Sequence, residues 1–175
     1  MDDFAKEVIT KMETCEKKEK WQFNKYPIKI IYKDKTYLTL YYYTKDTDCI
    51  LHGKSKSILS FLSTEDIENF CKKNGLKAVD EIVEYNFDEA IVNPVNYKKI
   101  LNNWNLLNTI ASTFGMFFEG DLQKYTAIYD FLFRLNTSIE PISSTYFISK
   151  KHYECILKVF RKKSRLLNNF EFFVD

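Results

Sequence analysis

Near Asn93-Pro94 the spacing of apolar residues changes for good, and that change limits the fold more than any other feature of the chain. Before it, Pro27 to Tyr32 and Thr36 to Tyr43 are β-branched and aromatic runs on either side of Lys33-Asp34-Lys35. Such runs around a short polar turn predict a β-hairpin. After it, Ile100, Leu101, Trp104, Leu107, Ile110, Ala111 and Phe114 recur at three- and four-residue steps and stop at Gly115. That spacing predicts a helix with one apolar face. A chain that keeps its strand signals and its main helix signals apart is expected to be α+β.

Shorter signals fill in the order of elements. Residues 3–18 place Phe4, Val8, Met12 and Cys15 at helical spacing among charges, which predicts a short amphipathic helix. Cys49–His52 and Ser57–Phe61 read as two short strands with Gly53 in the turn between them. Ser63 is placed to cap a helix, with Asp66 at the capping-box position and Leu62 stapled onto Ile67. Asn74-Gly75 supplies a left-handed stop, and residues 80–86 read as another strand. Asn93 and Pro94 then read as the cap and first turn of the Trp104 helix.

A second helix carries Leu122, Tyr125, Ile128, Tyr129 and Leu132. A third starts near Ser149 and carries Tyr153, Ile156, Leu157, Phe160 and Leu167. The tail from Phe170 to Val174 fits a late strand or a frayed helix end equally. The expectation is one α+β domain over residues 1–175. Its sheet-rich half, 1–90, holds an antiparallel sheet of about four to five strands packed with helices, and 91–175 is helical. A chain of 175 residues is long enough to bury a sizeable core.

With 45% hydrophobic and 29% charged residues, the composition is that of a folded chain and not of a disordered one. Net charge is only +2, yet it is unevenly spread. Residues 61–140 hold 7 basic against 12 acidic side chains, while both flanking regions are basic. An acidic middle suits a basic partner, because opposite potentials steer encounter. Cys15, Cys49, Cys71 and Cys155 show no framework spacing, and the acidic Met1-Asp2-Asp3 start does not resemble a secretion signal. No apolar run is long enough to span a bilayer. A cytoplasmic location with reduced thiols is the expectation.

Catalytic chemistry finds little to use. Lys54-Ser55 after Gly53 resembles the end of a phosphate-binding loop, but Asp48 stands where the first glycine is needed. His52 and His152 carry no signature, and Cys49 with His52 has ligand-like spacing but no second pair. No nucleophile motif is present. Glu119 and Asp121 flank Gly120, which reads as a solvated acidic turn before it reads as a metal site. Trp104, Phe114 and Tyr129 are aromatics at helical spacing, hence core before pocket. The expectation is a protein that is not an enzyme, with no cofactor and no metal. One alternative is a small RNA-binding accessory module: Tyr37, Tyr41 and Tyr43 share a strand face, and Lys29, Lys33 and Lys45 supply charge. A core-facing role for that tyrosine face is the simpler account.

One resemblance goes further. Lys56-Ser57-Ile58-Leu59-Ser60-Phe61, the capped helix ending near Asn74 and Asn102-Asn103-Trp104-Asn105-Leu106-Leu107 come in order. They are followed by Phe118-Glu119-Gly120-Asp121 and Ile128-Tyr129-Asp130-Phe131-Leu132-Phe133. This string of patches, over roughly residues 21–135, resembles bacterial immunity proteins of contact-dependent growth inhibition and related polymorphic toxin systems. Two later patches depart from that family. Arg134-Leu135-Asn136 replaces a glycine with paired asparagines, and Tyr146-Phe147-Ile148-Ser149 lacks a proline and a tryptophan. The resemblance implies tight, non-catalytic binding of one cognate toxin C-terminal domain, a nuclease with a basic site. No nucleic acid or membrane is implied as partner. The residues expected to meet such a toxin are the acids Glu81, Glu84, Asp88, Glu89, Glu119 and Asp121.

Overall fold

Lys33 and Asp34 both take positive φ, 53° and 58°, and their tight reversal starts the sheet. Positive φ at both central residues is the two-residue hairpin geometry whose twist matches that of the flanking strands. It joins β1 (Lys25–Tyr32) to β2 (Lys35–Tyr43), antiparallel, with Tyr32 opposite Lys35. The computed structural model describes residues 25–43, 47–53, 56–74, 81–138 and 143–172. The expected helix over 3–18 lies outside these residues, as do Lys45, Lys54, Ser55 and Gly75.

The architecture is α+β. Next come β3 (Asp48–Ile50), β4 (Ile58–Ser60), α1 (Thr64–Lys73) and β5 (Val83–Asn86). A four-stranded sheet forms in the order β3-β2-β1-β5. The described residues divide into two compact units. One takes those up to Glu84 with the segment returning at Asn169; the other is Tyr85–Asn168.

In the first unit the tail resolves as a strand. β8 (Phe170–Phe172) runs parallel to β4, with Ile58 opposite Phe170. Leu40, Tyr42, Leu51, Phe61, Ile67, Phe70 and Cys71 form a buried cluster that α1 shares with one sheet face. The other face carries Tyr37, Thr39 and Tyr41 opposite Ile30, Ile28 and Tyr26. Ile28, Ile30 and Thr39 are fully buried there. That face is therefore covered around Ile28, Ile30 and Thr39, with Tyr37 and Tyr41 half-buried and Tyr43 exposed, while α1 packs on the opposite face.

Ser63 caps α1 as its sequence predicts. Its Oγ accepts from the Asp66 N–H at 3.1 Å, and its own N–H donates to Asp66 Oδ2 at 2.9 Å. The staple fails: Leu62 is 76% exposed while Ile67 is buried. The left-handed stop expected at Asn74-Gly75 turns on Gly75, which lies outside the described residues. Asn74 ends the helix at φ −107°, outside the left-handed region, and its Nδ2 donates to the Phe70 carbonyl at 2.7 Å.

In the second unit β6 (Val95–Asn96) leads into α2 (Tyr97–Phe114), which Gly115 closes in the left-handed conformation. A 3-10 turn (Glu119–Asp121), α3 (Gln123–Thr137), β7 (Thr145–Tyr146), α4 (Lys150–Phe160) and α5 (Ser164–Leu167) follow. All seven residues of the predicted α2 stripe are buried. The cap is not Asn93 but Asn96, whose Oδ1 accepts from the Lys99 N–H at 3.1 Å. Asn93 is used elsewhere: its amide brackets Ile148, donating to the carbonyl at 2.9 Å and accepting from the N–H at 3.2 Å. On α3, Tyr125, Ile128 and Leu132 are buried. The third helix is shorter than expected. It ends at Phe160, Leu167 sits on the separate α5, and Leu157 is exposed. Among the described residues no helix is long and apolar enough to cross a membrane.

Candidate functional site

Trp104 packs against Phe118, Tyr129 and Phe160, with ring centroids 5.7 to 6.3 Å apart. It is almost fully buried. The Trp104, Phe114 and Tyr129 set is therefore wall material and not a pocket, as aromatics at helical spacing suggest.

The loop before α2 is shaped by an asparagine. Asn86 Oδ1 accepts from the N–H groups of Asp88 and Glu89, at 3.0 and 3.2 Å. The Asn86 carbonyl in turn accepts from Asn103 Nδ2 at 3.0 Å. Two of the predicted acids, Asp88 and Glu89, are thus held side by side on a fixed turn. Glu89 pairs with Lys99 at 2.7 Å. Asp88 lies in the field of Lys163, whose Nζ donates to the Phe87 carbonyl. Burial lowers the Lys163 ammonium pKa, and Asp88 partly restores it.

The remaining acids sit elsewhere. Glu119 pairs with Lys162, whose hydrogen bond holds the carboxyl below its usual range. Asp121 stands beside the Asn108 side-chain amide, and partial burial holds its carboxyl above its usual value. In the first unit, Glu84 pairs with Lys29 at 2.9 Å, and Glu81 is exposed just ahead of β5. Glu84, Glu89 and Glu119 are thus matched by lysines, and Asp88 is flanked by one. Lys162 and Lys163 sit in the turn between α4 and α5, and a sequence reading cannot assign them partners so far along the chain.

Beside the Asp88-Glu89 turn lies a cavity of about 200 Å³. Its polar lining is Asn86, Glu89, Asn96, Lys99, Asn103 and Thr145. Ile91, Val92, Pro94, Ile100 and Phe160 give its apolar walls. Val92 is 63% exposed, and Phe147 is 74% exposed. The Asn93–Ile148 bracket holds their two segments of chain together; Val92 lines the cavity, and Phe147 precedes the bracketed Ile148. No sequence period marks them.

The tyrosine face gives less to work with. Tyr37 stacks on Phe170 at 3.6 Å, and Tyr41 donates to Asp48 at 2.8 Å. Burial pushes the Tyr42 phenol well up. Lys29 lies on the opposite face, across from Leu38, and Lys33 sits over the Tyr32 ring. Next to Gly53, Ser57 Oγ donates to Glu171 Oε2 at 2.5 Å. A carboxylate there is a poor neighbour for a phosphate. His52 contacts the Gly53 carbonyl, and His152 packs near Phe131. Among the described residues no group of histidine, cysteine and acidic side chains is arranged to hold a metal ion.

No family model and no curated protein matches the chain. Among solved structures it is similar to the crystal structure of the SatS C-terminal domain in complex with bromine. Identity is 17% and the TM-score 0.53, over 86% of this chain and 94% of that one. At that identity the likeness is one of fold.

Proposed function

We propose that this chain is a non-catalytic binding protein that neutralises a toxin domain, as an immunity protein of the contact-dependent growth-inhibition type does. The observation that carries the reading is the exposure of Val92 and Phe147, each next to a residue of the Asn93–Ile148 bracket, with a cavity lined by Val92 and Glu89 alongside. Two large apolar side chains held in water gain roughly 1.5–3 kcal/mol each when a partner covers them. An apolar centre with a polar rim is the usual anatomy of a specific interface.

The order of sequence patches from Lys56 to Phe133 supports the immunity reading in particular, and several of those patches are scaffold. Ile58, Phe61, Trp104, Leu107, Ile128 and Leu132 are buried, so an interface must lie outside them. The exposed surface around Val92 and Phe147 satisfies that requirement. Asp88 and Glu89 stand beside this surface, and Glu89 is already balanced by Lys99, which favours specificity and register over raw attraction.

Co-expression tests the reading. Where the neighbouring reading frame encodes a toxin domain, cells producing that domain should survive when they also make this protein. Continued killing at full expression of the folded protein would count against it.

A further inference from the structure

The cavity beside the Asp88-Glu89 turn is small and mixed in character. At about 200 Å³ it falls short of the roughly 300–1,000 Å³ usual for cofactor and drug-sized ligands. It exceeds the roughly 150 Å³ that suffices to hold a benzene ring. One aromatic side chain is the right size.

The lining narrows the choice. Ile100 and Phe160 offer an apolar surface to a ring. Glu89 and Lys99 are paired at 2.7 Å, so the site presents one negative and one positive group together. Lys99 disfavours an incoming cation and Glu89 an incoming anion. A neutral occupant that both donates and accepts is preferred.

The asparagines offer that chemistry. Asn86 and Asn96 spend their Oδ1 atoms on backbone N–H groups, and Asn103 spends its Nδ2 on the Asn86 carbonyl. Among the described residues, Nδ2 of Asn86, Nδ2 of Asn96 and Oδ1 of Asn103 take no partner. Two donors and one acceptor are left beside an apolar wall. A phenol hydroxyl meets both kinds, while its ring fills the apolar part.

We infer that this cavity is an anchor pocket for a tyrosine side chain of the protein partner. The inference rests on the protein-binding reading above and specifies what that surface captures. Tyrosine is among the residues enriched at interface hot spots, where one buried ring carries a large share of affinity.

The probe is p-cresol, the tyrosine side chain alone, titrated into the full-length protein and followed by the asparagine side-chain amide signals in NMR. The expected result is saturable shifts at Asn86, Asn96 and Asn103 with a Kd on the order of 1 mM, as fits so small a ligand. Toluene should bind at least about tenfold more weakly, because it leaves those polar atoms unmet. Ala90→Trp should abolish the shifts, since Ala90 lines the cavity from an exposed position. Thr145→Trp is a second blocking change at another exposed lining residue.

No shift at several times that concentration overturns the assignment. So does toluene binding as tightly as p-cresol, or binding that survives both blocking variants. Because p-cresol needs no toxin, failure here leaves the co-expression result to stand alone, and failure there leaves this result readable.

Discussion

Trp104 sits so close to Gly120 that no β-carbon fits between them: one added at Gly120 falls 2.6 Å from Trp104 Nε1. The same atom falls closer still to Phe118 Cε1. The acidic glycine turn is therefore a packing requirement of the tryptophan and Phe118 together. Gly120→Ala should destabilise the fold by about 1–3 kcal/mol, the usual range for overpacking. In a Trp104→Leu background the same change should cost less, because the neighbour has been removed. Urea unfolding of the four proteins checks it; equal costs in both backgrounds would show that the indole is not the obstacle.

At the start of α1 the cap and the failed staple make opposite forecasts. Ser63→Ala removes the oxygen that holds the Asp66 N–H and should cost about 1 kcal/mol. Leu62→Ala, at a 76% exposed position, should change stability by less than about 0.5 kcal/mol. Thermal or urea midpoints separate the two, and a large loss from Leu62→Ala would reinstate the staple.

Thr39 is fully buried, and its hydroxyl has no partner among the described residues. Removing an unmet buried hydroxyl while keeping the side-chain shape relieves a desolvation penalty. Thr39→Val should stabilise by about 1 kcal/mol. A clear loss in urea unfolding would mean that the hydroxyl is satisfied in solution.

The Lys162 hydrogen bond lowers the Glu119 pKa in the folded chain from an ordinary 4.5. A depressed carboxyl adds stability above its unfolded pKa and loses that stability as pH falls through the folded value. Wild-type stability should therefore decline below pH 4.5, and Glu119→Gln should decline less. Urea midpoints taken from neutral to acid pH test this. Parallel curves for the two proteins would remove Glu119 from the account.

Local patterns were legible in the sequence. The Trp104 stripe, the Ser63 cap and the Lys33-Asp34 turn depend on residues within a few positions of one another, and each forms. Choices made over distance were not legible. Asn93 and Asn96 both stand ahead of α2, and what decides between them is Ile148, 55 positions away. The acids were visible as charges, but Glu119 meets its lysine across 43 positions. Val92 and Phe147 escaped notice because single apolar residues in loops carry no period.

The central claim is that the Val92 and Phe147 surface holds a protein partner. Its most direct test is a binding titration of the purified chain against a toxin domain drawn from the neighbouring reading frame, where one is encoded there, with a Val92→Ser, Phe147→Ser double variant in parallel. The account predicts a one-to-one complex of nanomolar Kd, weakened at least about 100-fold in a double variant that remains folded. A complex of undiminished affinity in the double variant, or no complex with the wild-type chain, would contradict it.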